Sequence, residues 1–396
     1  MTRPEPPWRV GASAGRPVQG HLTAQVALVG GGPAALAAAL SLRRQGVDLA
    51  LVEPGLRGRA AEHRGPGLAL PGLAEHYFAL CQSLGREVAA RWWDTARRGT
   101  ESLREALQEA GCPWERGALL AIAVNAAEME EMSRGLADLQ ADGFEPRMMG
   151  LAAASNYVPV GEGEGALYLP GALAFDPGQA LEALLNRLEA LGGRLFCASP
   201  LVGWEQDAWG LHLHFPQGRL GCEVAVLADG LLPSDVGPGR WILPLRGQLL
   251  STAPWRGGFR LATVAVTANR GHEIYRMLDD GGVVAAGLNP GSGPAEHTTG
   301  LEVDPVFQGF LEKFMGIRFA EARHAAIERR WAATYFFSGD GLPLVGSLPG
   351  HHRLFVATAF GTCSWSLGTA AGLQIAALLG GSPAAIPRGA QPRRFA

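Results

Sequence analysis

Gly30, Gly32 and Ala35 stand in a G-x-G-x-x-A arrangement, and Glu53 follows twenty-three residues after Gly30. The chemistry this spacing serves is the binding of a diphosphate and a ribose. Gly30 permits a tight turn. Gly32 lets a pyrophosphate approach the backbone, where a helix N-terminus offers free N–H groups and the positive end of its dipole. Ala35 lets helix and strand pack closely. Glu53 is placed to accept hydrogen bonds from a ribose diol, and its charge disfavours a 2′-phosphate. The motif predicts a dinucleotide site and does not by itself separate NAD from FAD.

The flanking residues predict the elements such a site needs. Val26–Val29 is short, apolar and partly β-branched, as a buried parallel strand requires. Pro33 suits a first helical position, Ala34–Arg44 is strongly helix-forming, and Val47–Val52 reads as a second strand. A second glycine-bearing turn lies some 330 residues on. There the strand Leu354–Thr358 runs into Ala359–Gly368 and then into a small-residue helix over Thr369–Leu379. A chain that returns its last helix N-terminus to the cofactor unit suits a flavin, whose reduced ring carries negative charge. Between the two turns, helices are expected over Glu75–Ala110, Ala126–Asp142, Gly178–Leu191 (Asp176 as N-cap) and Pro305–Phe319. Strands are expected over Gly117–Val124, Arg194–Val202, Leu211–Phe215 and Val224–Leu227. Thr263–Ala268, Glu273–Leu278 and Gly282–Ala286 read as a meander.

The chain has 396 residues, 47% hydrophobic and 18% charged, so it can bury a large core. A formal charge of −3 does not support a general nucleic-acid surface. Glycine is frequent, at 55 residues, but without a collagen period. Residues 1–24 show no secretory apolar run and read as a flexible arm, and no run is long enough to span a membrane, so a cytoplasmic protein is expected. The five cysteines lack paired spacing, which argues against zinc and a disulfide framework. His212 and His214 share one strand face, a spacing that alone does not make a metal site; no metal is expected. Lys313 is the only lysine among 34 basic residues and reads as a surface residue.

With these residues in view, the sequence resembles the FAD-dependent D-amino-acid oxidase family, which includes glycine oxidase, sarcosine oxidase and the oxidase domain of the tRNA-modifying MnmC enzyme. The resemblance is carried by VALVGGGPAALAAAL, HRGPGLALPG, FDPGQALEAL, VAVLADG, LPLRGQL, IYRMLDDGGVVAAG, GDGLPLVG and the closing LFVATAFG…PRRF. LPLRGQL, the spacing after Gly361 and the Pro-Arg-Arg-Phe ending are most similar to the MnmC oxidase domain. The family implies an α/β fold: a Rossmann-like FAD domain with a second, α+β substrate domain on an antiparallel sheet. The implied boundaries are 25–75, 165–240 and 332–392 for the FAD domain, and 76–164 and 241–331 for the substrate domain. The implied FAD-binding residues are Gly30, Gly32, Pro33, Ala34, Ala35, Glu53, Pro54, Arg64, Gly65, Val202, Ala228, Asp229, Gly230, Asp340, Gly361, Thr362, Cys363 and Ser364. Attachment is expected to be noncovalent, because no cysteine lies between Gly316 and Val345.

Members of this family move a hydride from a carbon bonded to an amine nitrogen onto flavin, and the imine hydrolyses. That chemistry has no obligatory protein base. Amino-acid-oxidising members hold the substrate carboxylate with a Tyr and an Arg. The Tyr carries over to Tyr275. The Arg position is occupied by Tyr335, which puts simple amino-acid oxidation in question. Arg246 and Arg276 are the candidate replacements, with Arg276 expected on the strand face opposite Tyr275. The lysine that activates oxygen in sarcosine-oxidase-like members is matched by Ala285. Oxygen would then need another cation, or electrons pass to a different acceptor. The expected partner is a small amine or amino acid. The alternatives are an MnmC-like tRNA wobble-uridine oxidase, which charge and length do not favour, and a flavin-binding protein without turnover.

Overall fold

The computed structural model of the chain describes residues 5–8, 15–232, 237–255, 263–288, 294–382, 387 and 389–395. Two mixed sheets organise them. At the heart of the first, the strand Gly20–Val29 lies parallel between Leu49–Val52 and Gly218–Leu227. His351–Thr358 pairs parallel with Gly218–Leu227, and Arg194–Phe196 with Leu49–Val52. Three antiparallel strands, Gly203–Gln206, Leu211–Phe215 and Leu344–Leu348, complete it. The central residues Ala27, Leu28, Val29 and Leu49–Val52 are fully buried, which is why they read as unbroken apolar runs.

The helix Pro33–Arg44 covers this sheet and packs against the closing helix Thr369–Leu379. Their approach is so close that a Cβ on Gly372 would meet the Ala34 carbonyl at 2.2 Å. The helix Pro177–Ala190 lies beside them, and Asp176 caps it by accepting the Gln179 N–H at 2.9 Å.

The second sheet runs Ile327–Ser338, Ile242–Thr252, Val283–Gly287, Glu273–Met277, Thr263–Ala268, Glu115–Ala123, Gly165–Ala174 and Leu68–Ala69, with Arg147–Gly150 paired to Gly165–Ala174. Gly165–Ala174 and Ile327–Ser338, expected wholly or partly with the cofactor-binding strands, therefore pair in the second sheet. The helical pattern expected over Glu75–Ala110 is realised as two helices, Tyr77–Leu84 and Arg86–Glu109, separated at Gly85. The helix Pro305–Arg318 covers the opposite face of the second sheet, with Leu311 and Met315 buried there.

The described part of the N-terminal segment differs from a free arm. The first strand begins at Gly20, and Val18 is fully buried with its N–H donating to Ser199 Oγ. The Trp8 indole N–H donates to the Gly65 carbonyl at 2.9 Å, and Glu5 pairs with Arg64 at 2.8 Å. His212 and His214 do share a face, where they meet Asp207 and Glu205 as exposed pairs.

Candidate active site

Four loops leave the carboxyl ends of parallel strands and converge, as open α/β sheets dictate for ligand sites. They are Gly30–Gly32, Glu53–Gly55, Ala228–Gly230 and Ala359–Thr362. Backbone bonds fix their bases: Gly30 N–H to Val52, Ala228 N–H to Val29 and Glu53 N–H to Phe196, each at 2.8 Å. Gly30 has φ of +128°, and a Cβ there would strike the Ala228 carbonyl at 2.4 Å. The loops open on a shared cleft. One wall is the Pro33–Arg44 helix N-terminus, capped by no side chain. The opposite wall comes from the second sheet and includes Ile274, Thr334 and Tyr335.

Glu53 is 2% exposed and lines this cleft. Its Oε2 accepts the Gly58 N–H at 3.1 Å and the Cys197 thiol at 3.5 Å. Its Oε1 has no partner among the described residues. Burial pushes its carboxyl up to about 7, against the lowering pull of those donors and Arg57. Gly31 makes room for it, since a Cβ there would lie 1.9 Å from Oε1. A buried, orphaned acceptor beside an open helix N-terminus and a glycine turn fits a ribose followed by a diphosphate.

The loop crossing above this turn is firmly held. Arg64 Nε donates to the Ala332 carbonyl at 2.6 Å, and the Trp331 indole donates to the Arg64 carbonyl at 2.8 Å. The same loop brings Glu62 over the cradle: a Cβ on Gly32 would lie 3.0 Å from Glu62 Oε2. Burial, followed by the charge of Asp229, raises the Glu62 carboxyl to about 7. Sequence reasoning missed Glu62, because a short 3₁₀ turn over Ala61–Arg64 delivers it.

Of the residues expected to hold the cofactor, Gly32, Pro33, Ala34, Glu53, Pro54, Gly65, Ala228, Asp229, Gly230, Gly361, Thr362 and Ser364 line the cleft. Gly30 forms its base, and Ala35 is buried in the helix-to-strand contact. Four other expected residues lie outside the cleft lining. Val202 is 54% exposed and outside the cleft. Arg64 is turned toward Ala332 and Glu5. Asp340 and Cys363 border a neighbouring cavity, with Asp340 held by Arg394 at 2.6 Å.

The expected substrate-binding residues are corrected more strongly. Only Tyr335 faces the cleft. Tyr275 is fully buried on the other face of its strand, its hydroxyl donating to Glu273 at 2.8 Å and its ring edge-on to Phe319 at 4.9 Å. Glu273 is in turn paired with Arg318 at 3.0 Å. Because side chains alternate, Ile274 takes the cleft position. Arg276 shares the Ile274 face, but its Nη1 donates to the carbonyls of Pro66 at 2.9 Å and Phe175 at 2.5 Å, while its guanidinium lies over Trp8. Arg246 is held by both oxygens of Glu296, at 2.9 and 3.0 Å, and by Glu302 at 3.1 Å.

The neighbouring cavity, about 690 Å³, shares Phe360, Gly361 and Thr362 with the cleft. Leu245, His272, Leu288 and Phe337 from the second sheet line it, as do Leu80, Leu84 and Trp92 from the helices above. The molecule thus pairs a dinucleotide cleft with an adjoining chamber, the arrangement of a cofactor-dependent oxidoreductase. The chain belongs to the DAO family of FAD dependent oxidoreductases, whose model matches residues 25–378. FAD is therefore the dinucleotide the cleft takes. A curated glycine oxidase from Bacillus licheniformis is 24% identical over 226 residues, so the match spans 55% of this chain and 58% of that protein. The glycine oxidase of Geobacillus kaustophilus superposes with a TM-score of 0.79 at 20% identity, over 92% of this chain and 96% of that one. An L-proline dehydrogenase from P. horikoshii gives 0.79 at 18% identity, over 96% and 98%.

Proposed function

We propose that this protein oxidises the C–N bond of a small amine, amino acid or N-substituted glycine. The observation that carries this is the segment Phe360–Thr362, which lines both the cofactor cleft and a neighbouring chamber walled in part by the second sheet. Gly32, Glu53 and the final turn would hold FAD noncovalently, and the bound flavin would supply a two-electron oxidant for the carbon next to nitrogen. The resulting imine is hydrolysed by water. The protein's own part is to exclude water with the apolar chamber and to aim the C–H bond.

Tyr335 faces the cleft with a hydroxyl that no described residue engages, and burial holds it protonated. It is suited to orient the substrate nitrogen. Tyr335→Phe is expected to slow flavin reduction about tenfold, the worth of one hydrogen bond to a reacting group, while FAD content is unchanged. Lys313 is exposed on the Pro305–Arg318 helix, and Ala285 is buried in the second sheet. Oxygen, if it is the acceptor, is handled without a lysine. Residues 25–75, 165–240 and 332–392 are read as the cofactor unit, in a cytoplasmic protein. Among the described residues no helix is long and apolar enough to cross a membrane. The test is anaerobic mixing of the FAD-loaded protein with amines, amino acids and N-methylated glycines. Bleaching of the visible flavin band by members of one class supports the reading, and inertness toward all of them overturns it.

A further inference from the structure

Resting on that reading, we propose that the substrate is a bulky, apolar amine whose recognition does not depend on an α-carboxylate. The chamber beside the cleft is several times too large for a glycine-sized molecule, and its walls are dominated by Leu80, Leu84, Trp92, Leu245, Leu288 and Phe337. Burying apolar substrate surface against these walls favours binding in proportion to the area covered. A small zwitterion would leave those walls uncovered. Its carboxylate would be desolvated without an unengaged guanidinium among the described residues.

A carboxylate needs a guanidinium with donors to spare, and among the described residues the arginines around this chamber are engaged. Arg246 is clamped by Glu296 and Glu302, and Arg276 by backbone carbonyls. Arg318 is buried with Glu273 on the far side of the sheet. Arg270, which does line the chamber, spans both oxygens of Glu131 at 2.7 and 3.1 Å. The other ionisable groups in the wall are two acids and the imidazoles of His272 and His297. Glu75 lies there, and Asp340 answers Arg394. His272 adds no cation, since burial, and then the nearby Arg270, lower its pKa. An apolar chamber with acids at its border selects a positively charged head on an apolar body. The amine must shed its proton before hydride leaves the adjacent carbon.

The experiment compares N-methylphenethylamine and benzylamine with glycine, sarcosine and D-alanine as anaerobic reductants of the FAD-loaded protein. The apolar amines are expected to half-saturate at concentrations at least tenfold lower than the amino acids. Reduction by amino acids with the apolar amines inert would overturn the proposal and leave amine oxidation standing. Reduction by none would overturn both. Binding without turnover gives an independent readout. Cumylamine, which has no hydrogen on the carbon bearing nitrogen, is expected to perturb the flavin spectrum, whereas benzoate and acetate are not; the reverse order refutes the idea. In Leu288→Arg, or Leu84→Arg if the first does not fold, benzoate binding should appear and cumylamine binding should weaken at least tenfold. Unchanged preferences in a folded variant count against the chamber.

Discussion

Glu53 and Glu62 face the same cleft with carboxyls raised by burial, yet they should respond oppositely to losing their charge. Glu53 is an acceptor waiting for a donor, its Oε1 unpaired beside the Gly31 backbone. Glu53→Gln removes the charged acceptor for the ribose. FAD affinity should fall about tenfold, in line with 1.5 kcal/mol or so for a hydrogen bond to a charged group. The same change relieves a buried charge, so the FAD-free protein should melt higher. Fluorescence titration of FAD and thermal melts of the apoprotein read the two effects separately; parallel movement would contradict the assignment. Glu62 instead sets a negative charge on the diphosphate cradle, near Asp229. Glu62→Gln should tighten FAD binding. In the Glu53→Gln background, where the opposing titration of Glu53 is removed, affinity should rise as pH falls toward about 7, by up to about tenfold per pH unit while one proton is taken up, and level off below it. A titration curve that is flat in pH, or a weaker Gln variant, would show that Glu62 swings clear of the anion at no cost.

The elements around the cleft show which parts of the site local pattern could reveal. The first turn was legible because strand, glycine turn, helix and acidic residue are contiguous, and each satisfies a local rule. The closing helix Thr369–Leu379 was equally plain. Tyr275 was not, because Glu273–Arg276 is buried on both faces and offers no polar alternation to say which side meets the cofactor. Only pairing with Thr263–Ala268 and Val283–Gly287 fixes that face. Arg246 and Arg276 failed similarly: their partners lie between 50 and 210 residues away, at distances no sequence pattern carries. The N-terminal segment was the other surprise, and it bears on the cofactor. Trp8 is 8% exposed, fastened to Gly65 and stacked on Arg276, so it pins the loop that delivers Glu62. Trp8→Ala should cost about 3 kcal/mol and accelerate FAD release, with far-UV dichroism unchanged. Gel filtration of the loaded protein would show the loss of flavin directly, and full retention would mean that the segment only decorates the loop.

At the scale of the whole molecule, stability without FAD should depend on pH in an unusual direction. Glu53 and Glu62 both have folded-state pKa values near 7, above the 4.5 expected unfolded. Between those values the folded protein binds more protons than the unfolded chain. The stability from these groups is therefore fully present below about 4.5, falls as pH rises, and is gone above about 7. Ordinary paired carboxylates such as Asp142, whose pKa is lowered chiefly by Arg86, act in the opposite sense and set the acid limit. The FAD-free protein should then melt highest in mildly acidic buffer and lose several degrees by pH 8. Combining Glu53→Gln with Glu62→Gln should flatten that decline while sparing the acid limb. A hundredfold excess of FAD over its dissociation constant should add about 2.7 kcal/mol at any one pH. The two sheets meet across the cleft, so a ligand lying along it ties Gly32 and Glu53 to Tyr335 and should raise a single cooperative transition. If FAD instead split the melt into two transitions, with only one moving, the second sheet would be folding independently of the cofactor it helps to enclose.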